Sequence, residues 1–353
     1  MEFKEKYKKY KMKYTELKNK QNIYNFLGGV CQLDKKFNYE DLSSVLDYAK
    51  NRYECTENKK TDKKYFVILY GPPASGKTIA RKLACTYIKK YFDEKIKIED
   101  IYKSFIDTGI DDIVHDAYYN EESPQVSVKD KMIKTMEAYF SKQQNPSIPK
   151  EERLNHIKAS TDASSNFINE VMIVNSKTYF DYRGGKNIDD LSALLGIIAT
   201  YTNHNVFFEI ASPSIEYINK LIQTIYWNKY NIVFIYPYTD NIDLLIERSY
   251  TRGLLEGRFI NGEFIKTRAT ACFNSYNTLV KKSITEVKDD ETKKGIQTMY
   301  DMHKNIMILR YNTELSTEID SKINNYTLNL ESEEFKPYIY EIDIKIDGND
   351  ACK

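Results

Sequence analysis

Eight consecutive residues of the chain have the pattern of a phosphate-binding loop. Residues 71–78 read Gly-Pro-Pro-Ala-Ser-Gly-Lys-Thr, which matches G-x-x-x-x-G-K-S/T. The apolar run 65–70 precedes them, and Ile79, Leu83 and Tyr87 follow at helical spacing. Because this loop binds phosphate where a buried strand leads into a helix, the flanking segments give the context that the motif requires. The sequence therefore predicts a site for a nucleoside triphosphate.

The residue types in the loop each have a physical role. Gly71 and Gly76 let the backbone turn and approach the phosphates without a Cβ clash. Backbone N–H groups at the start of the next helix favour negative charge. Lys77 reaches the β- and γ-phosphates, and the Thr78 hydroxyl suits Mg²⁺. We predict that ATP or GTP is bound by these residues: Gly71, Ala74, Ser75, Gly76, Lys77, Thr78 and Ile79.

Four arginines lie close together in the second half of the chain: Arg248, Arg252, Arg258 and Arg268. Phosphoryl transfer depends on positioning and on neutralising the charge of the transferring group. Guanidinium groups suit this because they bind phosphate oxygens with two hydrogen bonds. We expect a helix to end at Gly257 and the next segment to form a lid that brings Arg258 and Arg268 over the nucleotide. For Arg248, a solvated helix face that pairs with neighbouring glutamates stays open as the alternative.

Two carboxylates stand at the ends of predicted strands. Asp107 follows the short strand 104–106, and Glu209 lies near the end of the strand 205–210. Ligands of parallel sheets bind outside the carboxyl ends of the strands, so both side chains can face the crevice beside the phosphate loop. A carboxylate there can accept a proton or hold Mg²⁺ through water. A helix N-cap is the alternative role for Asp107 or Asp111.

Composition excludes several classes of function. The 353 residues include 52 Lys and Arg and 51 Asp and Glu, a formal net charge of +1, which does not favour nucleic acid as the main ligand. The five cysteines lack C-x-x-C spacing and the four histidines are dispersed, so neither a disulfide framework nor a zinc site is predicted. No apolar run is long enough to span a bilayer, and we predict a cytoplasmic protein without a membrane partner.

Alternating strand and helix patterns predict an α/β fold, with a mainly parallel sheet that carries helices on both faces. We divide the chain into a helical N-terminal arm (1–60), a P-loop domain (61–330) and a tail or edge strand (331–353). Region 115–186 is interpreted as an insertion or a substrate-binding subregion. The Lys- and Tyr-rich arm favours a solvated helix that packs on the body, with a partner protein or nucleic acid as the alternative.

The individual elements follow from the periodicity of apolar residues. Strands are predicted at 65–70, 104–106, 205–210, 231–236 and 305–310, with an edge strand at 338–346. Helices are predicted from the phosphate loop to about residue 91 and at 128–142, 187–204, 214–227 and 241–255.

Several segments in a fixed order carry a family resemblance: Gly71–Thr78, Ile106-Asp107, Phe207–Glu209, Arg248-x-x-x-Arg252, Glu256–Ile260, Ile265–Arg268 and Asn274–Leu279. Together they resemble the zeta-toxin-like P-loop kinases, relatives of chloramphenicol phosphotransferase. The resemblance covers roughly residues 62–312 without 115–186. The Lys- and Tyr-rich leader is similar to those of proteins from giant DNA viruses, which implies the host cytoplasm or the virion.

The family resemblance implies Mg²⁺-dependent transfer of the γ-phosphate of ATP to a hydroxyl group. An aspartate after the second strand would deprotonate that hydroxyl. Where the family often shows Asp-x-Asp or an aspartate followed by arginine, this chain reads Asp107-Thr-Gly-Ile-Asp111-Asp112, so the base is Asp107 or, less favoured, Asp111 or Asp112. The third strand ends Glu209-Ile-Ala-Ser instead of Glu/Asp-Gly-Thr. Glu209 would lie near the acceptor or the metal.

The resemblance also implies the phosphate contacts. Lys77 would bind the β- and γ-phosphates, Thr78 would hold Mg²⁺, and Arg258 and Arg268 would clamp the triphosphate. Three functions fit these residues: a kinase acting on a small molecule such as a nucleotide sugar, a polynucleotide or nucleoside kinase, and a nucleotide-binding interaction protein with little turnover. The predicted catalytic set, Lys77, Asp107, Glu209, Arg258 and Arg268, favours the first.

Overall fold

The strand that leads into the phosphate loop lies inside the sheet of the computed structural model. This strand, β1 (Tyr65–Tyr70), is buried at every residue and pairs with β3 and β4. The other strands are β2 (Phe105–Asp107), β3 (Asn205–Ile210), β4 (Asn231–Tyr238), β5 (Ile306–Asn312), β6 (Ile339–Ile346) and β7 (Asn349–Asp350). The structure describes residues 61–350 apart from 62, 93–94, 112, 114–127, 143–148, 161–164, 186–187, 202, 212–213, 216, 219–220, 223–224, 226–229, 281–305 and 347–348.

The sheet is mainly parallel. Within the described ranges the strand order is β2-β3-β1-β4-β5-β6-β7, and β1 to β5 pair in parallel. Strand β6 pairs antiparallel with β5 on one side and with β7 on the other. The strand predicted at 338–346 is therefore present, but β7 and not β6 is the outer strand of the described sheet. The predicted α/β fold with a mainly parallel sheet is confirmed.

The helices of the described chain are α1 (Lys77–Tyr91), α2 (Ile98–Lys103), α3 (Val128–Lys142), α4 (Lys150–Ala159), α5 (Val174–Gly185), α6 (Ile188–Tyr201), α7 (Ile242–Glu256), α8 (Gly262–Val280) and α9 (Thr317–Asn324). A π-helical stretch, Ile168–Ile173, leads directly into α5. The bounds of α3 agree with the predicted helix at 128–142. No described helix is both long and apolar enough to cross a membrane.

Helices cover both faces of the sheet, and the side chains of β1 alternate between the two cores that result. Phe66, Ile68 and Tyr70 join a cluster that includes residues of α6 and α8. Tyr65, Val67 and Leu69 join a second cluster with residues of α1, α2 and α9. Burial on both sides explains the unbroken apolar run that marks β1 in the sequence.

The described parts of region 115–186 form a helical layer with a core of its own. Residues of α3, α4 and the π-helical stretch pack there with Tyr250 of α7 and with Phe259. Phe259 is fully buried and meets the ring of Phe167 edge to face. This layer thereby fixes the segment that follows α7. The predicted N-terminal arm, residues 1–60, lies outside the described residues.

The end of α7 is held against α3 through a glycine. Gly257 has a φ of 74°, and its N–H donates to the Gly253 carbonyl at 2.7 Å. A Cβ at Gly257 would lie 2.6 Å from the backbone carbon of Met132. Buried Asn175 donates through Nδ2 to the carbonyls of Gly257 (2.6 Å) and Met132 (2.8 Å). Only glycine fits this turn, because both its backbone conformation and its surroundings exclude a side chain.

We predict that Gly257→Ala lowers the free energy of unfolding by about 1–3 kcal/mol, because the added Cβ overlaps α3. The measurement is urea denaturation followed by circular dichroism. Gly184→Ala on α5 is the matched control, since a Cβ there meets nothing within 4 Å. In that exposed helical position we expect alanine to be neutral or slightly stabilising. Equal unfolding midpoints for native Gly257 and Gly257→Ala would contradict the packing described here.

Candidate functional site

A cavity of about 670 Å³ opens beside the phosphate loop, at the carboxyl ends of β1 and β3. Its lining combines six cationic side chains, Lys77, Arg81, Arg183, Arg248, Arg252 and Arg258, with three carboxylates, Asp111, Glu209 and Glu256. Part of the remaining wall is apolar and comes from Ile110, Phe208, Ile210, Ala211, Tyr217 and Ile260. The volume is within the range of small-molecule sites, and the excess of positive charge suits an anionic ligand.

The phosphate loop has the backbone conformation that anion binding requires. Gly71, Ala74 and Gly76 have φ values of 146°, 61° and 92°. Alternation of such residues with right-handed ones turns successive N–H groups inward and forms a nest for an anion. Helix α1 begins directly behind the loop, with no side-chain cap and no acidic residue in its first turn. The N-terminal N–H groups of α1 are thus left to a ligand, and its dipole favours negative charge.

The side chains of the loop are also of the kind that binds phosphate. Lys77 Nζ donates to the carbonyls of Gly71 (3.3 Å) and Pro72 (3.0 Å), which holds the ammonium group across the loop. Thr78 is exposed and lines the cavity. Ser75 is buried, and its Oγ has no hydrogen-bond partner among the described residues. Of the predicted nucleotide-binding residues, five line the cavity: Ala74, Ser75, Gly76, Lys77 and Thr78. Gly71 and Ile79 support the loop instead, through hydrogen bonds from Gly71 N–H to Ile210 and from Ile79 N–H to Gly76.

Arg81 connects α1 to the carboxylates at the ends of β2 and β3. Its Nη1 forms an ion pair with Asp107 Oδ2, and its Nη2 donates to Glu209 Oε1 at 2.6 Å. The Arg81 side chain is only 9% exposed. Asp107 also accepts a hydrogen bond from the Gly109 N–H through Oδ1. Glu209 lines the cavity, whereas Asp107 is not among its lining residues.

Arg248 is held close to the phosphate loop by neutral partners. Its Nη1 donates to Thr313 Oγ1 (3.1 Å), and its Nη2 donates to the Thr313 carbonyl (2.9 Å). Thr313 borders Gly76, because a Cβ built on that glycine would lie 3.7 Å from Thr313 Cγ2. In the part of the chain that the structure describes, no carboxylate forms an ion pair with Arg248. Its positive charge is therefore available to an anion, and the solvated-face alternative does not fit.

Asp111 organises the far side of the cavity. Its Oδ1 accepts hydrogen bonds from Arg258 Nη1 (2.7 Å) and the Tyr179 hydroxyl (2.6 Å), and its Oδ2 lies 3.5 Å from Arg252 Nη2. The Arg258 guanidinium stacks on Tyr179, 3.7 Å from the ring centroid. Arg252 Nε also donates to both carboxylate oxygens of Glu256 at 2.9 Å.

The ionisation of this cluster follows from its contacts. Burial alone would raise the pKa of Asp111, but Arg258, Arg252 and the Tyr179 hydroxyl together hold the pKa well below its usual range. Burial raises the pKa of Tyr179, and the Asp111 charge raises it further, so the hydroxyl stays protonated and donates. Asp111 is consequently a weak base whose role is to hold two arginines.

Arg268 does not reach the cavity. The lid expected from the sequence is shorter than predicted, because α8 begins at Gly262 and carries Arg268 along with it. Asn261 initiates this helix by accepting the Glu263 N–H through Oδ1 (2.8 Å), an N-cap signal that the sequence contains. Arg268 lies instead over the Phe264 ring, 5.2 Å from its centroid. Of the residues between Gly257 and α8, Arg258 and Ile260 line the cavity.

Sequence reasoning missed three residues of the site: Arg81, Arg183 and Tyr179. Arg81 stands one helical turn after Lys77, which is a usable signal because i and i+4 share a helix face. The other two come from α5, where no motif marks them. Asp112, the third candidate base, lies outside the described residues. In the described chain no group of three or more His, Cys, Asp or Glu is arranged to hold a metal ion.

Comparison with known proteins adds a relative from a giant virus. The uncharacterized protein L872 of Acanthamoeba polyphaga mimivirus is 31% identical over 312 residues, which cover 88% of this chain and 81% of the viral protein. The chain belongs to the family of this mimivirus protein. The predicted resemblance to proteins of giant DNA viruses is therefore confirmed. No protein-family profile matches the chain.

The solved structures similar to this chain include one from the PezAT chromosomal toxin-antitoxin system of Streptococcus pneumoniae, with 11% identity and a TM-score of 0.40. The alignment covers 85% of this chain and 94% of that chain.

We predict that Lys77→Ala weakens binding of Mg²⁺·ADP by about 10- to 100-fold, the effect of losing one charge-assisted hydrogen bond to phosphate. Isothermal titration calorimetry measures this affinity directly. Lys82→Ala is the matched control on the same helix, because Lys82 Nζ donates to Asn324 on α9 instead of facing the cavity. Unchanged affinity in Lys77→Ala would mean that nucleotide binds elsewhere.

Asp111→Asn should destabilise the protein most at neutral pH. The pKa of Asp111 is lowered in the folded state, so its stabilising effect is present above the unfolded value of about 3.9 and is lost as pH falls toward the folded pKa. Thermal unfolding from pH 7 to pH 3 should therefore show a gap between native and variant that narrows below about pH 4. Asp181→Asn, at an exposed position of α5, is the control without such a gap. A gap that widens on acidification would refute the assignment.

Proposed function

We propose that the protein is a Mg²⁺-dependent phosphotransferase that moves the γ-phosphate of ATP to a hydroxyl group of a small molecule. The observation that carries this proposal is the composition of one cavity. A phosphate loop, a group of arginines and a carboxylate at the end of β3 line the same space. Phosphoryl transfer needs little covalent chemistry from a protein, but it does need those three kinds of group around the phosphate.

The charges in the cavity support transfer as well as binding. Six cations face three carboxylates, and Asp111 and Glu256 both bind Arg252. Lys77 and Arg248 lie beside the loop without a carboxylate in any ion pair of the described residues, so they can bind the triphosphate. Arg258 stands opposite, held by Asp111 and Tyr179. Fixed cations on both sides of a phosphoryl group stabilise the charge of its transition state.

The residues around the loop fit a magnesium ion. Thr78 presents a hydroxyl at the N-terminus of α1, and hard oxygen ligands of this kind, together with phosphate oxygens and water, are what Mg²⁺ prefers. When bound there, Mg²⁺ would neutralise phosphate charge. We expect Thr78 to hold it, as the sequence predicted.

The acceptor side of the cavity favours a small molecule. Phe208, Ile210 and Tyr217 form an apolar wall, and about 670 Å³ accommodates a nucleotide with a compact second ligand. A polynucleotide kinase needs a basic groove along its surface, and the net charge of +1 gives no support for one. The resemblance of the sequence to zeta-toxin-like kinases supports a nucleotide sugar as the first acceptor to examine. As a relative of a mimivirus protein, this enzyme would act in the host cytoplasm or the virion.

The test is transfer of label from γ-labelled ATP with Mg²⁺ to pools of hydroxyl compounds: nucleotide sugars, nucleosides, aminoglycoside-type alcohols, and DNA and RNA ends. We expect label on one small-molecule pool, and we expect Lys77→Ala and Arg248→Ala to lower the rate by at least about tenfold, the effect of losing one phosphate contact. Label on nucleic-acid ends would favour the polynucleotide alternative. Tight ATP binding with no transfer to any pool would leave a nucleotide-binding interaction protein and refute the kinase.

A further inference from the structure

We propose that Glu209 is the carboxylate that takes the proton of the acceptor hydroxyl, and that Arg81 and Asp107 position it. This inference rests on the proposed function and changes its chemistry, because the sequence favoured Asp107 as the base. The geometry of β2, β3 and α1 points to Glu209 in three independent ways.

Glu209 lies nearer to the phosphate loop than Asp107 does. Glu209 is in register with Leu69 of β1, the strand that ends in the loop. Asp107 is in register with Phe207, and its strand, β2, lies beyond β3 from the loop. Neighbouring strands are about 4.8 Å apart, so Asp107 stands one full strand farther from the phosphates than Glu209 does. Only Glu209 of the two lines the cavity.

The carboxylates of Asp107 and Glu209 also differ in how many of their oxygens are bound. Asp107 has both oxygens bound, Oδ2 by Arg81 and Oδ1 by the Gly109 N–H. Glu209 is bound through Oε1 alone among the hydrogen bonds of the described residues, which leaves Oε2 to accept a proton from a ligand in the cavity. A general base must reach the proton that it removes, and this requirement separates the two carboxylates.

Asp111, the remaining described candidate for the base, is excluded by its hydrogen-bond and ion-pair partners. Arg258, Arg252 and the Tyr179 hydroxyl all stabilise its charged form, so it is a poor proton acceptor. Among the described ion pairs, Glu209 binds one arginine, Arg81, and shares it with Asp107, whereas Asp111 binds two arginines. The rigid fork of Arg81 fixes the direction of Glu209 while Asp107 anchors the other side.

The acceptor oxygen forms a bond to the γ-phosphorus while the bond between that phosphorus and the β,γ-bridging oxygen breaks, and ADP leaves with the electron pair. The acceptor proton passes to Glu209 Oε2 and then to solvent. In this step Arg81 acts only through Glu209, which makes it a positioning residue.

The deciding comparison is Glu209→Gln against Asp107→Asn. Both amides keep an oxygen for Arg81, but neither can take a proton. Rates are measured with γ-labelled ATP, using the hydroxyl pools named above and also water, which is scored as ATP hydrolysis. We expect Glu209→Gln to lower kcat by about 10²- to 10⁴-fold, with the affinity for Mg²⁺·ADP unchanged, because general-base catalysis contributes that much. Asp107→Asn should lower kcat by less than about tenfold, since it perturbs only the anchor of Arg81.

The pH profile gives a readout that a structural role would not change. The native chain and Asp107→Asn should both lose activity on the acidic side, while the residual rate of Glu209→Gln should be flat there. Arg81→Lys should recover part of the kcat lost in Arg81→Ala, with KM for ATP little changed in both.

Each outcome decides the question. An Asp107→Asn loss that equals or exceeds that of Glu209→Gln, or a Glu209→Gln rate near native, overturns this inference and leaves the kinase standing. Absence of transfer by the native chain to every pool and to water overturns the proposed function, and the proton-accepting role with it. A selective Glu209→Gln loss with a flat acidic profile supports both.

Discussion

Repulsion among six cations around one small cavity is the constraint that the surrounding structure must satisfy. Four of the guanidinium groups have fixed partners within the protein. Arg81 bridges two carboxylates, Arg252 and Arg258 share Asp111, and Arg248 rests on the backbone and hydroxyl of Thr313. Supports of this kind keep the charges in place before a ligand arrives, so the binding of an anion need not reorganise them. The partners also differ in charge. Arg248, beside the phosphate loop, has neutral partners, whereas Arg81, Arg252 and Arg258 each pair with at least one carboxylate.

The scaffold that carries these supports consists of the central sheet and the helical layer. Strand β1 is buried on both faces and ends in the phosphate loop, so the loop inherits the rigidity of two cores. The segment 258–261 after α7, which carries Arg258, depends instead on the separate core of the helical layer, in which Phe259 is buried. The cavity lies between an element fixed by the sheet and one fixed by the helices, which is where ligand sites commonly occur.

The local features of the chain were predictable from its sequence, and the long-range ones were not. The phosphate loop and β1 were predicted because eight residues and one apolar run contain the whole signal. The partners of Arg81 come from two other strands, so no spacing along the chain reveals them. Tyr179 and Arg183 lie in a region without a clear period; Tyr179 takes its role from Arg258, which stacks on its ring, and Arg183 reaches the cavity from the same helix. Arg268 was misplaced because the N-cap at Asn261 was not recognised, and a helix took the position of the expected lid.

The single amide group of Asn175 has a consequence for how this family can diversify. It joins the carbonyls of Met132 and Gly257 from a third helix, and its surroundings are fully closed to solvent. Helices α3 and α5 and the turn at Gly257 are thus coupled as one structural unit. A relative with other helices in this region would need a different turn at Gly257 as well. A change in the helices that border the site is therefore expected to accompany a change in where the site places Arg258.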